Sequence, residues 1–372
     1  MMPHQNIDQL IEKTTNIPRI STSSSSLYRE NIHLLTEMVN VALLEAPDMD
    51  ELIGHNQRQV MFDNHQNHAF FMSTVFILGD YELLVNTVAW VYTAYHNHGF
   101  KYEYFKAELL AWKNALDLHF NQDDLSDVQA VYQWMLDHHS DFIKIADSAE
   151  IIVDEVEDNW LEIQQVVLKA LLAGDHQVCL DQFRASVNQA ADLSKFYLQV
   201  LQPAMYEIGR RWEKNEVTVA QEHLASAIVQ RLMASSVQTD MDYESPNNQR
   251  VLIAASPNEY HQIGAAMLAD LMEHQGWDVR FMGADLPQED LIQFVDTFKP
   301  QILALSATMP FNLLKVQEII TKIKEQQPGN PLKIMVGGLA FSGNNMRWQE
   351  LGADGFAPNA QAALELANQW LM

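Results

Sequence analysis

The chain has 372 residues, with 23 Lys and Arg against 49 Asp and Glu and a formal net charge of −26. That charge excludes ready binding to a phosphate backbone or to an anionic membrane surface. The length suits about two or three domains. The single cysteine, Cys179, excludes an internal disulfide framework and any Cys-rich zinc or iron–sulfur site.

The start, Met-Met-Pro-His-Gln-Asn-Ile-Asp, lacks the basic-then-apolar pattern of a signal peptide, and no apolar run approaches the ~20 residues of a spanning helix. A reducing, cytoplasmic setting is therefore expected. Residues 1–26 end in a Ser run (Ser23–Ser26) that reads as a flexible segment or a helix N-cap cluster. Residues 27–150 are helical in character: Gly and Pro are scarce, and apolar residues recur at three- and four-residue steps, as in Leu34, Leu35, Met38 and Val39. Pro47 and Gly54 mark breaks, Gly99 suits a helix C-cap, and Asn121–Ser126 suits a turn into a further helix. The expectation is an all-helical domain.

Residues 151–240 form a second helical block of the size of a four-helix bundle. Helices are predicted over 149–173, 180–209 and 221–235, with a turn at Gly174-Asp175 and a kink at Pro203. The polar stretch 242–250 reads as a linker. From residue 250 to 372 the style changes. Short apolar-rich runs (250–255, 278–282, 302–306, 333–336, 355–357) alternate with helical stretches (261–275, 288–298, 312–325, 342–351, 360–371). That alternation predicts a doubly wound, Rossmann- or flavodoxin-like parallel sheet, which binds ligands beyond the C-terminal strand ends.

The first strand runs into Asn258-Glu259-Tyr260-His261-Gln262-Ile263-Gly264. His261 therefore falls at the ligand-binding edge, with the Glu259 carboxylate two residues away to orient its ring. One such pair is common in loops. Ser306-Ala307-Thr308 at the end of the third strand and Gly337-Gly338 at the end of the fourth fall on the same edge, with residues 265–305 between Gly264 and Ser306. This three-part pattern resembles the cobalamin-binding domain, whose signature is Asp-x-His-x-x-Gly, a Ser-containing strand end and Gly-Gly; Glu259 stands in place of the Asp. The resemblance implies that cobalamin binds base-off with His261 as the lower axial ligand to cobalt. It also implies that Gly264, Gly337 and Gly338 admit the nucleotide tail, and that Ser306 and Thr308 meet its polar atoms.

The helical block upstream carries Trp212, nine intervening residues, then Glu222-His223. This spacing resembles the light-sensing adenosylcobalamin proteins typified by the carotenoid-gene repressors. The resemblance implies a cap over the upper corrin face in which Trp212 shields that face, Glu222 contacts the adenosyl ribose and His223 lies against the corrin. In those repressors a His follows the Trp; here that position is Glu213. The repressors also open with a basic DNA-binding domain, where this chain has an acidic, aromatic- and His-rich one.

A helical N-terminal domain ahead of a cap and a cobalamin module resembles the photocobilins, which pair cobalamin with a bilin. That likeness implies a globin-like fold holding biliverdin or another bilin non-covalently, with haem as the alternative occupant. His65, His68, His96 and His98 are the candidate contacts, although no carboxylate set completes a bare metal site around them. The favoured expectation is a non-enzymatic photoreceptor or sensor, a homo-dimer or tetramer that signals to a protein partner, with no nucleic acid and no membrane. The alternatives are a corrinoid carrier for methyl transfer, and a haem or bilin sensor whose cobalamin fold is a relay that binds nothing.

Overall fold

The computed structural model describes residues 3–121, 124–148, 156–236, 245–326, 329, 332–343 and 346–371. The chain divides into two units: Met1–Ile152 with Glu213–Glu216, and Val153–Trp212 with Val217–Met372.

The first unit is helical: Pro3–Lys13, Thr22–Glu30, Ile32–Leu44, Met49–Leu52, Arg58–Leu78, Tyr81–Asn97, Tyr102–His119, Ser126–Asp137 and His139–Asp147. Arg58–Leu78 is central. Ala69, Phe71, Met72, Val75 and Phe76 are all buried, so its C-terminal half is apolar round most of its circumference. It ends at Gly79, whose φ of 66° is the left-handed C-cap conformation that glycine adopts without strain. Among the described residues, 3–26 follow the N-cap reading of the Ser run and not the flexible-segment one. Pro3–Lys13 is a helix that buries Leu10, and Ser21 caps the next helix by accepting from the Ser24 N–H. The Ser run is thus used as a cap and a first helical turn.

The second unit opens with a helical cap. Asp158–Ala173 closes at Gly174, in the left-handed conformation, and Asp175 then accepts from the Val178 N–H to start His176–Ser186. The predicted 149–157 part of the first helix lies mostly outside the described residues. The helix expected over 180–209 is interrupted: 187–189 are extended or bent, and a new helix runs from Ala190 through Phe196, a π-turn at Tyr197–Leu201, and Gln202–Glu213. Pro203 does not end this helix. The wider π-turn just before it accommodates the missing N–H. Val219–Ser236 completes the cap.

The α/β part has five parallel strands, β1 (Arg250–Ala255), β2 (Asp278–Phe281), β3 (Ile302–Ser306), β4 (Lys333–Gly337) and β5 (Gly355–Ala357), in the order β2-β1-β3-β4-β5. β1 and β3 are buried almost throughout, as expected of strands covered on both faces. Helices Ile263–His274, Gln288–Phe298, Leu313–Gln326 and Ala360–Leu371 form the covering layers. The helix expected over 342–351 is reduced, among described residues, to Arg347–Glu350. The hydrophobic core runs without a break from the cap (Phe196, Val200, Leu201, Ile228, Leu232) into the sheet and its helices (Val251, Met267, Leu271, Ile302, Leu364).

Candidate functional site

The chain order of the strands reverses direction between β1 and β3, and the crevice at such a switch point is where open parallel sheets bind ligands. The register brings Ala255, Ser306 and Gly337 side by side at that edge. The Ser256 N–H extends the ladder by donating to the Ser306 carbonyl at 2.9 Å, and the Glu259 N–H closes a turn onto the Ser256 carbonyl at 3.0 Å. That turn drives Glu259 inward and leaves His261 outside: the Glu259 side chain is 0% exposed, the His261 side chain 59%.

Glu259 is held by five donors. Oε1 accepts from His261 Nδ1 at 2.5 Å and from the His261 backbone N–H at 3.1 Å. Oε2 accepts from the N–H groups of Thr308 (2.8 Å) and Met309 (2.9 Å) and from Asn312 Nδ2 (3.2 Å). Burial pushes the Glu259 carboxyl up, but the hydrogen bonds from His261, Met309 and Thr308 outweigh it and hold the group below its ordinary value. An ionised carboxylate only accepts, so Nδ1 of His261 carries the proton and the Nε2 lone pair is free. The hydrogen bond to Glu259 raises the pKa of His261; partial burial opposes the rise, and the charges of Glu259 and Glu222 reinforce it. Glu222 in the cap is therefore near enough to act on His261 electrostatically.

This donor set suits a metal that arrives inside a macrocycle. Among the described residues no group of three or more His, Cys, Asp and Glu side chains could hold a bare ion, whereas one oriented imidazole suffices as an axial ligand. The surroundings fit a polar tail beneath it. A Cβ built at Gly264 meets nothing within 4 Å. Ser256 Oγ and Asn312 Oδ1, both on fully buried side chains at this edge, have no hydrogen-bond partner among the described residues. The other two glycines differ from Gly264. Gly338 has φ 95° and ψ 165°, a region essentially limited to glycine, and a Cβ there would sit 2.3 Å from the Ala307 carbonyl oxygen. A Cβ at Gly337 would come within 3.1 Å of the Ala357 carbonyl oxygen. The pair therefore lets the ends of β3, β4 and β5 approach one another. Ser306 is half-buried at its strand end, and Thr308 contributes its backbone N–H to Glu259.

In the cap, Trp212 is partly buried against the core. Glu222 Oε2 pairs with His223 Nδ1 at 2.6 Å and its Oε1 accepts from Ser226 Oγ at 2.8 Å; His223 is exposed. Glu213 Oε1 accepts from Trp90 Nε1 at 2.7 Å within the first unit.

The N-terminal histidines are dispersed in role. His65 is fully buried with both ring nitrogens engaged, Nδ1 by Asn40 Oδ1 (2.7 Å) and Nε2 by Tyr104 OH (3.0 Å). His68 stacks on Trp112, with its Nε2 buried and without a hydrogen bond. His96 pairs Nδ1 with the Phe100 carbonyl and stacks on Tyr102, and His98 forms the C-cap of Tyr81–Asn97. Beside His65 and His68 lies a feature that sequence reasoning missed. Among the described residues buried Glu108 takes two long (3.4 Å) hydrogen bonds, from Trp112 Nε1 and Asn64 Nδ2, and burial pushes its carboxyl up to about 8. Asn312 was missed as well; the only signal for it was its place six residues beyond Ser306.

Two models of the B12 binding domain match this chain, one over residues 249–366 and one over residues 163–235. The HTH-type transcriptional repressor CarH of Myxococcus xanthus is 30% identical over 39% of this chain and 48% of its own length, so the chain spans about half of that relative. A corrinoid protein of Desulfitobacterium hafniense is 22% identical over 55% of this chain and 94% of its own length. The dimethylamine corrinoid protein of Methanosarcina barkeri is 24% identical over 46% of this chain and 80% of its own length. Residues 163–235, in the helical cap, and 249–366, in the parallel-sheet part, thus match the two parts of a B12 binding domain, and cobalamin or corrinoid binding is what these matches support. No described helix is long and apolar enough to cross a membrane.

Proposed function

We propose that the chain is an adenosylcobalamin-based sensor, with the cofactor base-off, His261 as the lower axial ligand to cobalt and the cap over the upper face. The observation that carries the lower-ligand assignment is buried, ionised Glu259, which fixes the proton of His261 on Nδ1 and presents Nε2. Bound adenosylcobalamin supplies a light-labile cobalt–carbon bond. The chain's own residues do the rest. Glu259 orients the imidazole, and the loop carrying Thr308, Met309 and Asn312 keeps Glu259 in place. Gly264, Ser306, Thr308, Gly337 and Gly338 shape the tail crevice, and Trp212, Glu222 and His223 screen the upper face from water. Loss of the adenosyl group changes cap packing, and with it the oligomeric state or the engagement of a protein partner.

The sensor reading over a carrier is supported by the Trp212–Glu222–His223 spacing, by the likeness to the repressor, and by an N-terminal helical unit for which methyl transport has no use. In this reading that unit is the site of a second input, a bilin. A haem there would have to use a histidine other than His65, whose nitrogens are both engaged. The carrier reading draws on the two corrinoid proteins, most of whose length this chain covers.

The test is reconstitution of the purified chain with adenosylcobalamin, followed by absorption spectra and size-exclusion chromatography in the dark and after green light. A sensor changes in both. Uptake without photochange, together with methyl transfer from methylcobalamin to an added acceptor, assigns the chain to the carriers. The same spectra reveal any co-purified bilin or haem.

A further inference from the structure

Two helices bracket the proposed cofactor position. One, in the cap, runs from Ala190 through the π-turn and ends at Glu213, next to Trp212. The other, Ile263–His274, begins two residues after His261 and carries Gly264 in its first turn. Their seam is apolar, with Phe196, Val200 and Leu201 in one continuous core with Met267 and Leu271. A side-chain hydrogen bond crosses it: Tyr197 OH donates to Asp270 Oδ2 at 2.5 Å. Tyr197 is fully buried and is the first residue of the π-turn, an irregularity that helices often carry at functional positions. A second tie, Ser194 Oγ to Gln361 Oε1 at 2.7 Å, joins the same cap helix to Ala360–Leu371.

We propose that the Tyr197–Asp270 pair is a latch: it ties the helix that ends beside Trp212 to the helix that rises from the His261 loop, and so sets how firmly the cap closes over a bound corrinoid. Asp270 is half-buried, a partial desolvation that costs the carboxylate, and a hydrophobic pair would join the two helices at least as well. What the pair adds is direction and reversibility. A charge-assisted bond has a narrow geometry, and the seam loses it as soon as the cap helix slides or turns. Burial holds the Asp270 carboxyl up at about 6 against the opposing pull of the Tyr197 hydrogen bond, and the charge of Glu273 adds to the rise. Once its phenol partner leaves, Asp270 remains in the seam without that compensation, so opening has a defined energetic cost. The pair acts through the cap and touches no cofactor atom in this proposal.

The inference rests on the cobalamin reading, and its test separates the two. Wild type, Tyr197→Phe, Asp270→Asn, Asp270→Leu and the double variant Tyr197→Phe/Asp270→Leu are loaded with adenosylcobalamin in the dark. The absorption signature of His-ligated cobalt, the first-order rate of cofactor release and the melting of the apoprotein are recorded for each. A latch predicts an unchanged His-ligated signature with release accelerated about 10-fold or more in Tyr197→Phe and Asp270→Leu. Asp270→Asn, which keeps an acceptor, stays nearer to wild type, and the double variant releases little faster than either parent, because both remove the same bond. Wild-type release rates in the folded single variants overturn the latch, as does a double variant whose effect is the sum of its parents'. Should Tyr197→Phe melt too low, equal release from Asp270→Asn and Asp270→Leu overturns it. Those outcomes leave wild-type uptake intact. A wild type that takes up no adenosylcobalamin overturns the cofactor reading itself, and the latch with it.

Discussion

Replacing Glu259 by Gln keeps the shape of the side chain and removes its charge, which makes it the most informative single change in the site. Five donors converge on the carboxylate: His261 Nδ1 and N–H on one oxygen, and Thr308 N–H, Met309 N–H and Asn312 Nδ2 on the other. An amide can satisfy only one of these sides. With its oxygen toward the three donors of the 308–312 loop, its NH2 group faces His261, whose Nδ1 must then turn from donor to acceptor. The imidazole proton moves to Nε2, the nitrogen that would ligate cobalt. Metal sites lose roughly 10- to 100-fold in affinity when such an orienting partner is removed, equivalent to about 1.4–2.7 kcal/mol. The assay is a cobalamin titration of wild type and Glu259→Gln, followed by the absorption bands that distinguish His-ligated from unligated base-off cobalamin. The expected result is weaker binding with the His-ligated bands lost or diminished. Full affinity with an unchanged His-ligated spectrum refutes the tautomer argument.

The glycines give a contrasting pair. Gly338→Ala puts a Cβ 2.3 Å from the Ala307 oxygen in a glycine-only backbone region, and is expected to destabilise the apoprotein by about 1–3 kcal/mol or more in urea titrations. Gly264→Ala meets open space and should leave apo stability within about 0.5 kcal/mol while weakening cobalamin uptake. Asn312→Ala removes donors to Glu259 and to the Asn258 carbonyl from a fully buried position, and should cost about 1–3 kcal/mol of stability and lower cobalamin affinity in calorimetry. In the N-terminal unit, burial raises Glu108 from 4.5 to about 8, so its contribution is fully present below pH 4.5 and is lost as pH rises toward 8. Burial depresses His65 and His68 to about 3; their contribution is present above pH 6.5 and is lost as pH falls. Stability should therefore decline between pH 6.5 and 8 by up to about 1.4 kcal/mol per unit, and Glu108→Gln should flatten that limb in thermal melts at the two pH values.

The parts of the molecule that were legible in the sequence are those whose pattern is local. Apolar runs such as Val251–Ala255 and Ile302–Leu305 can hardly be other than strands buried on both faces, and the three loop motifs fall at their ends because parallel strands all finish on one edge. Gly174-Asp175 announces its turn because the glycine supplies the left-handed C-cap and the aspartate the next N-cap. Features that depend on distant partners were not legible. The fold of residues 3–30 depends on tertiary packing of a short amphipathic helix, and the break at 187–189 carries neither Gly nor Pro. The buried polar group of Asn64, His65 and Glu108 is spread over two helices, 44 residues apart between Asn64 and Glu108, with a spacing that only packing reveals.

Glu259 shows how such a distant partner changes the meaning of a motif. In sequence it is a departure from the Asp of the cobalamin signature, one methylene too long. In the structure that extra length is taken up by depth. The carboxylate passes beneath the loop after β3 and collects two backbone N–H groups and Asn312, contacts that lie 49 to 53 residues away. The orienting group for His261 is thus anchored on a different strand from the histidine itself. Moving β3 relative to β1 would turn the imidazole, and fixing it would hold the imidazole still. β1 and β3 flank the switch point, so through Glu259 the imidazole is tied to both of them. The longer side chain at 259 therefore reaches donors of the loop after β3 while it still meets His261 Nδ1, so one carboxylate ties the imidazole to two strand ends.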